Sequence, residues 1–131
     1  MQTLLRLVDE TPGQPRRPAG TLRLVSERVT AREVIRRRVE EEVAAYNRNQ
    51  SEIFQGLVQP TESELALNGY RMKKSRKLDA EEQVRVATNA FERNRIVLLF
   101  EDRQLERLDE PVTLTPDATI TFLRLIPLVG G

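Results

Sequence analysis

The sequence predicts an α+β fold in which a mixed sheet of four to five strands packs on one capped helix. Two alternating strand patterns open the chain, a capping box precedes a long amphipathic stretch, and apolar strand patterns return near the end. A length of 131 residues suits one domain with a substantial core. We therefore predict a single domain over residues 1–131.

The first two strands are predicted to form a hairpin. Residues 2–9 follow a period of two, with Leu5 and Leu7 on one face and Leu4, Arg6 and Val8 on the other. Residues 11–20 contain three prolines and two glycines, which favours a long hairpin loop. The second strand is expected over residues 21–28 and should pair with the first.

A helix is predicted to follow this hairpin. Thr30 lies three residues before Glu33, which is the spacing of a capping box, and Val29 and Val34 are placed as a hydrophobic staple around it. The helix should end near residues 47–49 and pack on the sheet through one apolar stripe. That stripe comprises Val34, Ile35, Val39, Val43 and Tyr46.

Three further strands are predicted in the last third of the chain. Residues 95–101 are too apolar for an exposed edge and should lie in the middle of the sheet. A turn at Asp102 and Arg103 leads to a short strand around Gln104 and Leu105. After a loop at residues 108–111, the last strand is expected over residues 119–126.

Residues 47–94 form a long insertion with its own predicted elements, between a core of residues 1–46 and 95–131. Thr61 and Glu64 have capping-box spacing, which predicts a short helix ending at residues 68–69. A second capped helix is predicted over residues 79–93, and its apolar side should pack against the body of the domain. Residues 53–58 are apolar enough to suggest self-association.

Composition narrows the function classes. Cysteine and histidine are both absent, which removes disulfides, thiolate nucleophiles, the commonest zinc ligands and the usual general base at neutral pH. We expect no enzyme, catalytic residue, metal or cofactor. Net charge is +1, which favours neither nucleic acid nor an anionic membrane as the partner. Because no apolar run approaches a membrane span, and Met1 leads directly into a strand-like segment rather than a basic region with an apolar signal core, we expect a cytoplasmic protein.

The order of these elements resembles the ubiquitin-like β-grasp proteins: a hairpin, a capped helix, two further strands and a terminal strand ending in Gly130 and Gly131. Residues 95–105 are similar to the third strand, turn and Gln-Leu step of ubiquitin, and the Met1-Gln2 start also agrees. The resemblance covers residues 1–46 and 95–131, and the insertion has no counterpart. It implies a β-grasp fold.

The resemblance also implies a reactive carboxyl terminus. An ATP-dependent adenylating enzyme would activate Gly131, and a thioester on that enzyme or a conjugating enzyme would carry it to a target protein as an amide or isopeptide. Gly130 would supply backbone freedom, because glycine lacks a Cβ. Leu128 would match the tail leucine that activating enzymes and deconjugating peptidases contact. A frayed terminus or a cloning remnant is the alternative interpretation of the two glycines.

The tail departs from ubiquitin at two positions. Pro127 and Val129 stand where ubiquitin has arginines, which favours a bacterial or archaeal protein with different partners. An apolar tail of this kind is also similar to sulfur carriers whose terminus becomes a thiocarboxylate. A non-covalent interaction domain with an incidental Gly-Gly is the third hypothesis.

Two further groups are candidates for partner contact. Leu99 and Leu125 correspond to the apolar recognition patch of ubiquitin, unless both are core residues. The lysines, Lys73, Lys74 and Lys77, are clustered with two arginines around Tyr70. This cluster suits an acidic partner, a small nucleic-acid contact or acceptor lysines for another copy's Gly131, although a solvated loop would have the same composition.

Overall fold

A computed structural model of the chain describes residues 2–74 and 76–125, and its fold is α+β as predicted. Within those residues lie ten strands in three sheets and two helices. The strands are β1 (Thr3–Glu10), β2 (Arg17–Leu24), β3 (Arg28–Thr30), β4 (Ile53–Phe54), β5 (Ser63–Ala66), β6 (Gly69–Met72), β7 (Ile96–Phe100), β8 (Arg103–Leu105), β9 (Pro111–Thr113) and β10 (Thr119–Arg124). The helices are α1 (Ala31–Arg48) and α2 (Ala80–Glu92).

The chain divides into two compact units. Met1–Val34 and Thr88–Gly131 form the first unit, and Ile35–Ala87 form the second. The first unit holds a five-stranded sheet and the two-stranded β3–β9 sheet, and the second holds a three-stranded sheet. The predicted core comprised residues 1–46 and 95–131 and so included nearly all of α1. The structure instead groups most of α1 with the insertion.

The five-stranded sheet has the order β2–β1–β10–β7–β8. The first and last strands, β1 and β10, are parallel neighbours at its centre, with Leu7 opposite Ile120. All other neighbours in this sheet are antiparallel. The predictions of a mixed sheet and of a mid-sheet position for β7 are therefore confirmed. One face carries the buried core: Leu5, Leu7, Leu22, Leu24, Ile96, Leu98, Leu105, Ile120 and Phe122.

The first hairpin corrects the predicted loop. β2 begins at Arg17, whereas the sequence predicted a loop through residue 20. Pro18 pairs with Val8, which β2 accommodates because it is an edge strand and a proline there does not interrupt the sheet. The register then shifts by one residue, and Gly20 has a φ of +102° at this bulge. The hairpin signal was correct and Pro12 and Pro15 do lie in the loop, but Pro18 was wrongly assigned to it.

Helix α1 begins at the predicted cap. The Glu33 N–H donates to Thr30 Oγ1 at 3.2 Å, and the Thr30 hydroxyl donates to Glu33 Oε1 at 3.3 Å. This satisfies one of the N–H groups that a helix leaves unpaired at its start. Every residue of the predicted apolar stripe is buried.

The second unit contradicts the predicted helix at residues 61–68. β5 and β6 form an antiparallel hairpin there, and β4 pairs with the other side of β6. Glu62 has a φ of 55°, which a helix following Thr61 could not tolerate in its first turn. Gly69 has a φ of +143° just after the two-residue turn. The insertion is thus partly strand rather than helical throughout.

Helix α2 confirms the other prediction for the insertion. The Glu81 N–H donates to Asp79 Oδ1 at 3.1 Å, so Asp79 caps the helix from the position that the sequence indicated. Val84, Ala87 and Phe91 are buried along one side of α2, while Ala80 is only half-buried. The amphipathic pattern therefore predicted this helix well.

Candidate functional site

The outer face of the five-stranded sheet, opposite its buried core, carries Leu99. Side chains alternate along β7, so Val97 and Leu99 share the outer face while Leu98 is buried on the other. Val97 pairs with Leu123 of β10, which is also half-buried. Three apolar side chains thus lie together on a face that is partly open to solvent.

Leu125 extends this apolar group at the end of β10. Its N–H donates to the Arg95 carbonyl at 3.0 Å, which continues the β10–β7 ladder by one pair, and Leu125 is 39% exposed. Alternation places Leu125 on the outer face, two residues beyond Leu123. Leu99 and Leu125 are therefore at opposite ends of one stripe, which we call the outer stripe (Val97, Leu99, Leu123 and Leu125), and neither is a fully buried core residue.

Arg16, in the loop between β1 and β2, contacts the outer face of the five-stranded sheet. Arg16 donates to Thr121 Oγ1 at 3.0 Å, and its Nε lies 4.0 Å from Glu10 Oε1. Thr121, the partner of Leu99 across the β10–β7 ladder, is 6% exposed. Because this guanidinium borders the outer stripe, an apolar partner that also carries a carboxylate fits the surface better than a purely apolar one.

An ion pair on the core face holds the end of β10. Arg124 donates to Asp9 Oδ2 at 2.6 Å, with 25% and 11% of the two side chains exposed. Within the described residues, Arg124 Nε is buried without a hydrogen-bond partner. The Arg124 side chain thus lies on the core face of the sheet, where the Asp9 carboxylate accepts its hydrogen bond.

The predicted reactive end, comprising Pro127, Leu128, Val129, Gly130 and Gly131, lies outside the described residues. The structure does describe β10 and Leu125, which precede this end in the sequence. β10 is paired with β1 up to Leu123, and on its other side it is bonded to β7 up to the hydrogen bond of Leu125. Six residues of the sequence follow that bond.

The three lysines lie at the end of the β5–β6 hairpin and in the segment before α2. Lys73, Lys74 and Lys77 are all exposed. The Lys73 N–H donates to the Glu62 carbonyl at 3.0 Å, and Arg76 donates to the Thr61 carbonyl at 2.8 Å. The backbone of this basic segment is therefore tied to the start of β5, while its amines are accessible.

Hydrogen bonds and neighbouring charges stabilise the charged forms of several titratable side chains. The pKa of Glu81 is lowered by a hydrogen bond from Arg36 at 2.6 Å and by the charge of that guanidinium. Arg32 lowers the pKa of Asp109 in the same way at 3.0 Å. Both carboxylates are ionised near neutral pH, so neither is suited to transfer protons there.

The part of the chain that the structure describes lacks two kinds of feature. No three carboxylates in residues 2–74 and 76–125 are grouped closely enough to hold a metal ion. Neither α1 nor α2, the helices of that part of the chain, is long and apolar enough to cross a membrane.

Comparison with models of known protein families finds no match for this chain. Comparison with curated proteins finds none either. No solved structure matches the fold. The function is therefore inferred from the outer stripe, the end of β10 and the lysines that follow β6, Lys73, Lys74 and Lys77.

Proposed function

We propose that this chain is a ubiquitin-like protein modifier with a β-grasp core, activated at Gly131 by an ATP-dependent adenylating enzyme and conjugated to target proteins by thioester transfer. The observation that carries the proposal is the strand order β2–β1–β10–β7–β8. A β-grasp sheet likewise has its first and last strands side by side and parallel at the centre. The capped helix after the first hairpin agrees with that arrangement.

The central position of β10 suits delivery of a chain end. A strand that is paired on both sides resists fraying, so β10, which is paired with β1 up to Leu123 and bonded to β7 up to Leu125, would give the tail a rigid base. The six following residues end in two glycines, whose backbones can enter a narrow channel because neither has a Cβ. A partner's active site could thereby reach the Gly131 carboxylate.

The proposed chemistry belongs to the partners. An oxygen of the Gly131 carboxylate attacks the α-phosphorus of ATP and displaces pyrophosphate, because a free carboxylate is a poor electrophile. A cysteine thiolate of the enzyme then attacks the acyl carbon and displaces AMP. A target amine finally displaces the thiol and forms an amide. The chain itself supplies the acyl group and surfaces for recognition, among which the outer stripe is the leading candidate.

A sulfur carrier is the second candidate. The apolar tail with Pro127 and Val129 in place of ubiquitin's arginines favours it. A carrier shares the adenylation step but receives sulfur at Gly131, so its product is a thiocarboxylate rather than an amide. The two products differ in mass and in whether a second protein is attached.

Intact mass spectrometry of the protein recovered from its native host tests the proposal. The mass of the free form first establishes whether Gly131 is the natural end. We expect adducts joined through Gly131 to an amine of another protein, which disappear on deletion of Gly131 and persist in the matched variant Pro127→Ala. A mass gain equal to one sulfur-for-oxygen exchange would instead establish the carrier. Free chain alone, with function retained after the deletion, would indicate a non-covalent binding domain.

A further inference from the structure

The three-stranded sheet of the second unit has an open edge at β5. Its order is β4–β6–β5, so β5 is paired on one side only. The Lys73 N–H bonds to the Glu62 carbonyl, and bonded pairs alternate along an antiparallel ladder. The Leu65–Tyr70 pair is consequently a non-bonded pair. The N–H and C=O of Leu65 therefore point away from β6, toward the outside of the sheet.

The same end of the hairpin exposes two leucines. Leu65 is 70% exposed, and Leu67 in the turn is fully exposed at 106%. Next to them lies a shallow depression of about 540 Å³, lined by Glu64, Leu65, Ala66, Leu67, Asn68 and Arg71. Two exposed leucines beside an open strand edge are costly to leave in water and are typical of a binding surface.

The other end of the hairpin is basic. Residues 61–78 contain five cations and two carboxylates. Arg76 donates to both the carbonyl and the Oγ1 of Thr61, at 2.8 and 3.0 Å, which places the basic segment beside the start of β5. The edge is therefore apolar at its turn end, while near its opposite end, about 13 Å away over four strand residues, the neighbouring cations outnumber Glu62 and Glu64 of the edge itself.

We infer that the β5 edge binds an extended acidic segment of a partner protein by strand addition. The partner's backbone pairs with the outward N–H and C=O of Leu65, and its apolar residues contact Leu65 and Leu67. Its carboxylates lie at the other end, near Lys73 and Lys77. Charge favours this occupant over a second copy of the chain, because two copies would bring the same excess of cations together.

One side chain limits the extent of pairing. Gln59 Nε2 donates to the Ser63 carbonyl at 3.0 Å and so occupies the edge next to the basic end. An incoming strand that pairs beyond Leu65 must displace this amide. Replacing Gln59 by alanine is therefore expected to strengthen binding, whereas a contact by side chains alone would be unaffected.

The binding experiment uses the full chain and a fluorescein-labelled peptide with leucines at one end and glutamates at the other, made in both orders. We expect one order to bind more tightly, as measured by fluorescence anisotropy. Leu67→Ser should weaken binding about tenfold, the scale of one buried leucine. Lys73→Glu with Lys77→Glu should weaken it by at least about tenfold and reduce its salt dependence.

Matched controls separate this surface from general effects. Leu4→Ser removes an exposed leucine from β1, and Arg93→Glu with Arg107→Glu makes the same charge change at other exposed positions. Both controls should bind like the wild type. Deletion of Gly131 should also leave peptide binding intact, because this inference goes beyond the proposed conjugation and does not depend on it.

Backbone pairing has its own readout. Leu65→Pro removes the outward N–H without breaking a bond to β6, so it should weaken binding more than Leu65→Ala. Peptides N-methylated on the edge-facing amides should lose affinity while the hairpin is unaltered. Equal binding of both peptide orders, or no effect of N-methylation, would overturn strand addition. Binding only to phosphatidylserine vesicles, or dimerisation in light scattering that Leu67→Ser abolishes, would replace the acidic peptide with a membrane or a second copy.

Discussion

Neutralising the Asp9–Arg124 ion pair should destabilise the end of β10 measurably. The substitutions are Asp9→Asn and Arg124→Met, which remove one charge each and keep similar side-chain size. Arg124 donates to Asp9 at 2.6 Å, and the two strands are joined in the parallel β1–β10 pairing. Either single change leaves a charged group on the core face of the sheet without this partner.

The expected magnitude follows from burial. Exposed ion pairs contribute about 0–1 kcal/mol, whereas removing one partner of a fully buried pair costs about 3–5 kcal/mol. With 25% of Arg124 and 11% of Asp9 exposed, this pair lies between those limits, and we expect each single variant to lose about 2 kcal/mol. The double variant should lose less than the sum, because no charge is then left alone.

Urea unfolding followed by far-UV circular dichroism measures these differences in a double-mutant cycle. The Arg6–Asp117 pair is the internal control, since it has similar atoms at 3.1 Å but 63% and 79% of its side chains are exposed. Arg6→Met and Asp117→Asn should show a coupling near zero. Equal coupling energies for the two pairs would refute the argument that burial sets the strength of the Asp9–Arg124 contact.

Three further substitutions have outcomes that the geometry determines. Gly56→Ala should destabilise the fold by about 1–3 kcal/mol in urea unfolding, because the added Cβ would overlap two carbons of the buried Phe54 ring. Asn47→Ala, which removes hydrogen bonds of 2.8 and 3.0 Å to the backbone before α2, should cost about 1–3 kcal/mol and raise amide exchange there. The Glu106 N–H lowers the pKa of Glu110 below 4.5, so its contribution is present above pH 4.5 and lost as pH falls through the lower folded value. Glu110→Gln should flatten that part of an acid titration followed by circular dichroism.

Local signals predicted much of the fold. The alternation around Leu5, the Thr30 cap and the Asp79 cap are each contained in a few adjacent residues, and all three elements formed at those places. The hairpin at residues 63–72 was missed because Thr61 and Glu64 have the spacing of a helix cap. The positive φ of Glu62 excludes a helix there, but it is a property of the folded backbone and cannot be read from the sequence. Asn68 and Gly69, which are residue types common in turns, were the signal that the sequence did contain.

The candidate sites were only partly predictable, because they depend on contacts between distant residues. Alternation can place Leu99 and Leu125 on one face once the register of β7 and β10 is known, but the register itself is not contained in either strand. The Asp9–Arg124 contact spans 115 positions of sequence. It arises only when the first and last strands become parallel neighbours, which no local pattern around either residue indicates.

An arginine at position 124 has a physical role that an apolar residue could not fill as well. On the core face of β10, Ile120 and Phe122 are followed by residue 124. With a leucine at position 124, β10 could shift by two residues against its neighbouring strands while every apolar side chain still faced the core. The charge pair with Asp9 penalises that slip, since a displaced Arg124 would be buried without its carboxylate. We therefore expect the double variant, Asp9→Asn with Arg124→Met, to lose less stability than the sum of the single variants but to show more than one set of amide signals in NMR near Leu125. A single set in that variant would mean that side-chain packing alone determines where the tail begins.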